Sequence, residues 1–125
     1  MNVLVADDDP LFRTLVKRFL QAESAVAVVW EAANGEEAIL ISEERHPDLI
    51  LVDIALTRIN GLEATRLIKS RHSEIKVLVV SLQGEQTYRR AALECGADAY
   101  YSKSECRDAL KHIGDEMQAV HPLRR

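Results

Sequence analysis

Asp7, Asp8 and Asp9 stand side by side in the stretch "VLVADDDPLF", directly after a short apolar run. Three like charges repel, and the repulsion grows where water is scarce, so either solvent dilutes it or a cation offsets it. Three further residues with chemistry close apolar runs: Asp53 ends "DLILVD", Ser81 ends "KVLVVS" and Lys103 follows "DAYYS". Hard oxygen ligands in small number suit Mg2+, which takes one or two carboxylates and leaves places for water and phosphate oxygens. With such an ion shielding an incoming phosphoryl group, Asp53 is a candidate nucleophile that forms an acyl phosphate. Ser81 would donate to one phosphoryl oxygen, and Lys103 would hold another as a point charge. Singly, each has a bland alternative as a strand end, a helix cap or a surface amine. Their joint occurrence at strand ends carries the argument.

Five apolar runs would position these groups: 2 to 6, 25 to 32, 48 to 53, 76 to 81 and 98 to 102. The first, third and fourth are nearly continuous Leu, Ile and Val, the pattern of strands buried on both faces of a parallel sheet. Helical patterns alternate with them. Leu11, Phe12, Leu15, Val16, Phe19 and Leu20 make a helical stripe expected to be core. Segments 35 to 45, 61 to 71, 85 to 95 and 105 to 118 have the length and composition of helices. Strict alternation predicts a doubly wound α/β three-layer sandwich. In such a sheet ligands bind beyond the carboxyl ends of the strands, where strand order reverses. With order 2-1-3-4-5 that point lies between strands one and three, where the acidic residues fall. Asp9, followed by Pro10, is expected to cap the first helix.

Composition narrows the field. A chain of 125 residues, 47% hydrophobic and 29% charged, suits one globular domain. The net charge of −4 argues against a nucleic-acid footprint on this chain, and the basic stretch 66 to 72 reads as a solvated helix face. No apolar run approaches membrane-spanning length. Cys95 and Cys106 have no metal-ligand spacing and read as reduced, packed thiols, so a cytoplasmic location is expected. His46, His72, His112 and His121 share no ligand spacing and are expected at the surface.

The stretches "VLVADDDPLFR", "PDLILVDIALTRINGLE", "VLVVSLQGE" and "GADAYYSKSE" together resemble the receiver domain of bacterial two-component response regulators, the CheY-like superfamily. The resemblance runs from Asn2 to about residue 118 and implies a receiver over 1 to 118, with 119 to 125 a tail or the start of a linker. It implies that Asp53 accepts a phosphoryl group from a histidine kinase or phosphotransfer protein. Mg2+ would be bound by Asp8, Asp53 and the Ala55 backbone carbonyl, with Asp7 acting through a metal-bound water and by holding neighbouring groups. Ser81 would be the switch hydroxyl, Tyr100 the switch aromatic and Lys103 the phosphate-pairing amine. The output surface would be helix 85 to 95, strand 98 to 102 and helix 105 to 118, with a homodimer through that surface or through the first and last helices. The style is that of receivers preceding a helix-turn-helix domain, so DNA would be reached only through an output domain outside these residues. Such a chain is a regulatory phosphoacceptor rather than a turnover enzyme.

Departures from the family pattern bear on the same loops. Thr57 replaces a common proline, which is expected to loosen the loop after Asp53. Ser104 replaces the proline after Lys103, which argues against a cis peptide there. Leu82 is bulkier than the small residue usual beside the switch serine and is expected to narrow access, while Ala55 and Gln83 should flank the path of attacking water. A receiver that stands alone, without an output domain, is the alternative within the family, and three others stay open. A haloacid-dehalogenase-like phosphatase would want a second Asp where Ala55 stands. A flavodoxin-type module would want Ser, Thr or Gly in place of "DDDP". A pseudo-receiver acting only through protein contacts would not need the intact acidic set.

Overall fold

A computed structural model describes residues 1–82 and 86–110. Five strands, β1 (Asn2–Ala6), β2 (Val28–Ala32), β3 (Leu49–Asp53), β4 (Lys76–Ser81) and β5 (Ala99–Ser102), form one parallel sheet in the order β2-β1-β3-β4-β5. Helices α1 (Pro10–Gln21), α2 (Gly35–Arg45), α3 (Gly61–Arg71), α4 (Gln86–Glu94) and α5 (Lys103–Leu110) alternate with them. Alternate strand residues face opposite sides. Leu4, Ala6, Ile50, Val52, Val77 and Val79 pack with Ala38 of α2, Ile68 of α3 and Ala92 of α4. Their neighbours Val3, Val5, Leu49, Leu51, Leu78 and Val80 pack with Val16 and Leu20 of α1 and with Cys106 and Leu110 of α5. With both faces covered, β3 and β4 are buried along their whole length, which is why they read as continuous apolar runs.

Helix starts follow local side-chain chemistry. Asp9 caps α1 by accepting from the Leu11 N–H, with Pro10 in the first turn. Asn34 and Asn60 cap α2 and α3 in the same way, accepting from the Glu37 and Glu63 N–H groups at 2.9 Å. Each is followed by a glycine for a steric reason. A Cβ on Gly35 would lie 1.8 Å from the Ile59 carbonyl oxygen, and one on Gly61 would lie 2.2 Å from that of Asp53. Backbone cannot yield as a flexible side chain would, so Gly61→Ala should cost about 3 kcal/mol or more. The urea midpoint measures this; an unchanged midpoint would mean that the Asp53 backbone is not fixed against α3.

Three expectations need correction. Strand β2 begins at Val28 rather than 25, because the Val26 N–H turns back to the Glu23 carbonyl and Ala27 pairs with Met1. Helix α5 begins at Lys103, two residues early, because Ser102 and Glu105 form a reciprocal cap: the Glu105 N–H donates to Ser102 Oγ, and the Ser102 N–H donates to Glu105 Oε1. The α1 stripe is wider than its contact with the sheet. Val16 and Leu20 are buried, but Leu11 and Leu15 are 66% and 47% exposed. Residues 111 to 118 of the expected last helix, the tail 119 to 125, Gln83, His112 and His121 lie outside the described residues.

Candidate functional site

The carboxyl ends of β1, β3, β4 and β5 bring the predicted residues to one edge of the sheet. Asp7 follows β1, Asp53 is the last residue of β3, Ser81 the last of β4, and Lys103 follows β5, whose Ser102 is in register with Ser81. One carboxylate oxygen from each of Asp7, Asp8 and Asp53 lies within 4.8 Å of the others. Asp7 is 1% and Asp53 4% exposed, whereas Asp8 is exposed. Lys103 Nζ stands 2.8 Å from Asp7 Oδ2 and 3.6 Å from Asp53 Oδ2. The shorter contact is a charge contact rather than an aligned hydrogen bond, which leaves Asp7 Oδ2 buried with no aligned donor.

Electrostatics follow from that packing. Burial pushes the Asp7 carboxyl above the ordinary carboxylate range, against the downward pull of Lys103 and of the Asp9 N–H that donates to Oδ1, and the charge of Asp53 adds to the rise. Burial works to lower Lys103, but the Asp7 and Asp53 carboxylates outweigh it and hold the ammonium above its usual value. One cation therefore faces three anions at short range. The hard, partly desolvated oxygen set, with one buried oxygen unaligned to any donor, fits a small divalent cation.

The loop after β3 is anchored on three sides. The Ile54 N–H donates to the Val80 carbonyl, the Gly61 N–H to that of Ile54, and the Gly35 N–H to that of Thr57. The Thr57 tie runs through its carbonyl, which a proline would supply equally, and Arg58 takes the left-handed turn at φ 67°. The Ala55 N–H donates to Asp53 Oδ1 at 3.3 Å. An open cleft of about 470 Å³ is lined by Asp53, Ala55, Asn60, Ser81, Leu82 and Tyr88. Leu82 lines it while four-fifths exposed. Tyr100 is 2% exposed and packs in the core on the side of α2, α3 and α4.

The chain matches the response regulator receiver domain family over residues 3–114. The chain belongs to that family. Among curated relatives, the receiver is 39% identical to the transcriptional regulatory protein DegU of Brevibacillus brevis, across 98% of this chain and 53% of that protein. It is 38% identical to the response regulator protein VraR of Staphylococcus aureus, across 94% of this chain and 55% of that protein. The receiver thus spans about half the length of the curated relatives it matches. Among solved structures, the signal receiver domain of the putative response regulator NarL from Mycobacterium tuberculosis superposes with a TM-score of 0.86 at 30% identity, covering 94% of this chain and 95% of that one. A CheY-like receiver domain protein from Methanospirillum hungatei gives 0.85 at 26%, covering 97% and 96%.

Several neighbours of the receiver's site escaped the sequence reading. The Arg13 guanidinium donates to the Asp7 carbonyl at 2.6 Å and to Glu31 at 3.1 Å, tying α1 and β2 to the acidic loop. Phe12 lies against Lys103, its ring centroid 4.2 Å from Nζ. Arg89 of α4 stacks over the Tyr100 ring at 5.1 Å and donates to its carbonyl at 3.2 Å. No spacing rule marks such long-range partners. The histidines also differ from expectation. His46 is exposed, as expected, but His72 is only 17% exposed in its side chain and meets His46 edge to face at 5.0 Å. Both follow helix ends, which brings them together without any sequence period. Of the thiols, Cys106 is buried in α5, while Cys95 lies just beyond α4, where burial pushes its thiol up and away from reactivity. No described helix is long and apolar enough to cross a membrane.

Proposed function

We propose that this receiver accepts a phosphoryl group on Asp53 and that the resulting rearrangement governs an output, transcription in the whole protein. The observation that carries this reading is the placement of a nearly buried Asp53 in an open cleft, with an oxygen within 4.8 Å of the Asp7 and Asp8 oxygens and Lys103 Nζ at 3.6 Å. Mg2+ would be held by Asp8 and Asp53 with the Ala55 carbonyl, and by Asp7 through water; bound there, it supplies positive charge that lets an anionic donor approach three carboxylates.

The chain's own residues do the rest. An Asp53 oxygen forms the new O–P bond as the P–N bond of a kinase phosphohistidine breaks, the imidazole nitrogen leaving with the electron pair. Lys103 holds a developing equatorial oxygen by charge, and the Ser81 hydroxyl donates to another. Drawing these two groups toward Asp53 alters the carboxyl ends of β4 and β5, which adjoin α4 and Tyr100. Tyr100 and its Arg89 contact would then carry the change to the face of α4, β5 and α5. Phosphate biases the domain because it makes contacts in one state that it lacks in the other. Partners would be a histidine kinase or phosphotransfer protein and a second copy through that face or through α1 and α5, with DNA contacted by a domain outside this chain. DegU, a transcriptional regulatory protein about twice the length of this chain, supports this reading. Ala55 offers no second carboxylate, which supports a regulatory acceptor over a phosphatase.

Incubation with phosphoramidate and Mg2+, followed by intact mass, tests the reading. Wild type should gain one phosphoryl group and Asp53→Ala none. Labelling of Asp53→Ala at the wild-type rate, or steady phosphate release from unrelated esters, would refute it.

A further inference from the structure

An ammonium set between two carboxylates must be held where it can still reach a third anion. Lys103 has a misaligned contact to Asp7 at 2.8 Å and a separation of 3.6 Å from Asp53 that is too long for a direct hydrogen bond. An ammonium carries three N–H groups, so two carboxylates that draw it this way still leave a donor for a third anion. Nζ also lies over the face of Phe12, whose ring centroid is 4.2 Å away, well inside the range of a cation–π contact. Phe12 occupies the first turn of α1, two residues beyond the Pro10 start that Asp9 caps. It is half-buried, packs against the core shared by α1 and α5, and lines a groove there with Val16, Lys103, Cys106 and Leu110.

We propose that Phe12 is a positioning residue for Lys103: its ring holds the ammonium at the edge of the acidic cluster while leaving its hydrogens uncommitted for a phosphoryl oxygen on Asp53. The inference rests on the phosphoacceptor reading above for its consequence, but not for the contact itself. The π face attracts the charge without accepting a fixed, directional hydrogen bond, so Nζ stays in place and the donors stay free to turn. An aliphatic side chain of similar volume fills the same space without that attraction. Without the ring, Nζ is drawn by the two carboxylates alone, and its location before the donor arrives is less defined.

The test compares wild type with Phe12→Leu, Phe12→Met and Phe12→Tyr. Proteins carrying ¹³C-labelled lysine report the Lys103 ε-methylene, assigned by its loss in Lys103→Arg; a ring above it shifts that signal upfield. Phosphoramidate labelling of Asp53 in saturating Mg2+ reports the consequence. Leu and Met should lose the upfield shift and slow labelling about 3- to 10-fold, while Tyr keeps the shift and labels within about twofold of wild type. A wild-type Lys103 signal with no upfield shift overturns the proposal without any variant having to fold. So does labelling of folded Leu and Met variants at the wild-type rate, or failure of Tyr to preserve it. Wild-type protein that shows the shift but never gains phosphate refutes the phosphoacceptor reading and, with it, the role given to the contact.

Discussion

Saturating Mg2+ should raise the melting temperature of this receiver by about 10 °C, and Asp8→Ala should abolish the rise. An ion that binds only the folded state stabilises it by about 2.7 kcal/mol at a hundredfold excess over its Kd. For a chain of this length each kcal/mol moves the midpoint by about 4 °C. Asp8 is the right probe because it is the exposed member of the acidic set, so removing it deletes the proposed ligand without opening the core. In metal-free buffer the variant should even equal or exceed wild type, since one of three crowded carboxylates is gone. Scanning calorimetry with chelator and with Mg2+ gives all four values. A full Mg2+ response in Asp8→Ala would remove Asp8 from the site.

The same experiment has a pH dependence whose direction is set by Asp7. Its carboxyl, raised mainly by burial, binds a proton more tightly folded than unfolded. In metal-free protein its contribution is therefore stabilising below the usual carboxylate value and is lost as pH rises from there through the raised value. The ion favours the ionised carboxylate, so the Mg2+-induced shift should shrink as pH falls through that window. A shift that grows on acidification would contradict the assignment.

How much of this was legible beforehand depended on range. Strand order, the carboxyl-edge site and the Asp9 cap all rest on local patterns: continuous Leu-Ile-Val runs mean burial on both faces, and a polar residue at the end of such a run must emerge at the sheet's edge. The start of α5 is equally local, since Ser102 and Glu105 spell a capping box, but Ser102 also closes the β5 run, so the two signals overlap at one residue. Leu11 and Leu15 misled because a helical stripe records which face is apolar, not how wide its partner is. Phe12 against Lys103, Arg13 on the Asp7 carbonyl and Arg89 on Tyr100 were not legible at all. Each joins residues whose separation in sequence carries no period. Lys69 is the sharpest instance. It lies in the basic stretch 66 to 72, whose Arg66, Ser70 and Arg71 are indeed exposed, yet its own side chain is 9% exposed.

Lys69→Met should accordingly cost about 3–5 kcal/mol, although the change looks like loss of one surface charge. Lys69 Nζ donates to the Ser73 carbonyl at 3.0 Å, the Ile75 carbonyl at 2.8 Å and Asp98 Oδ2 at 3.0 Å, three acceptors for three N–H groups. Its stem has room because Gly96, at φ 100°, carries no Cβ; one there would come within 3.3 Å of Lys69 Cβ. Asp98, 3% exposed in its side chain, also accepts the Val77 N–H at 2.9 Å, so the pair ties the end of α3 and the entry to β4 to the approach to β5. Methionine keeps the stem but leaves the buried carboxylate without its cation, the costly way to break such a pair. Adding Asp98→Asn removes the stranded charge while keeping an acceptor for Val77, and should recover more than half of the loss. This end of the sheet lies opposite the acidic cluster, so Mg2+ binding and Asp53 labelling of the folded protein should be unaffected. Urea unfolding with an unchanged m-value measures the three stabilities. A single-variant cost below about 1 kcal/mol, the range of exposed ion pairs, would return Lys69 to the solvated face from which its neighbours in sequence project.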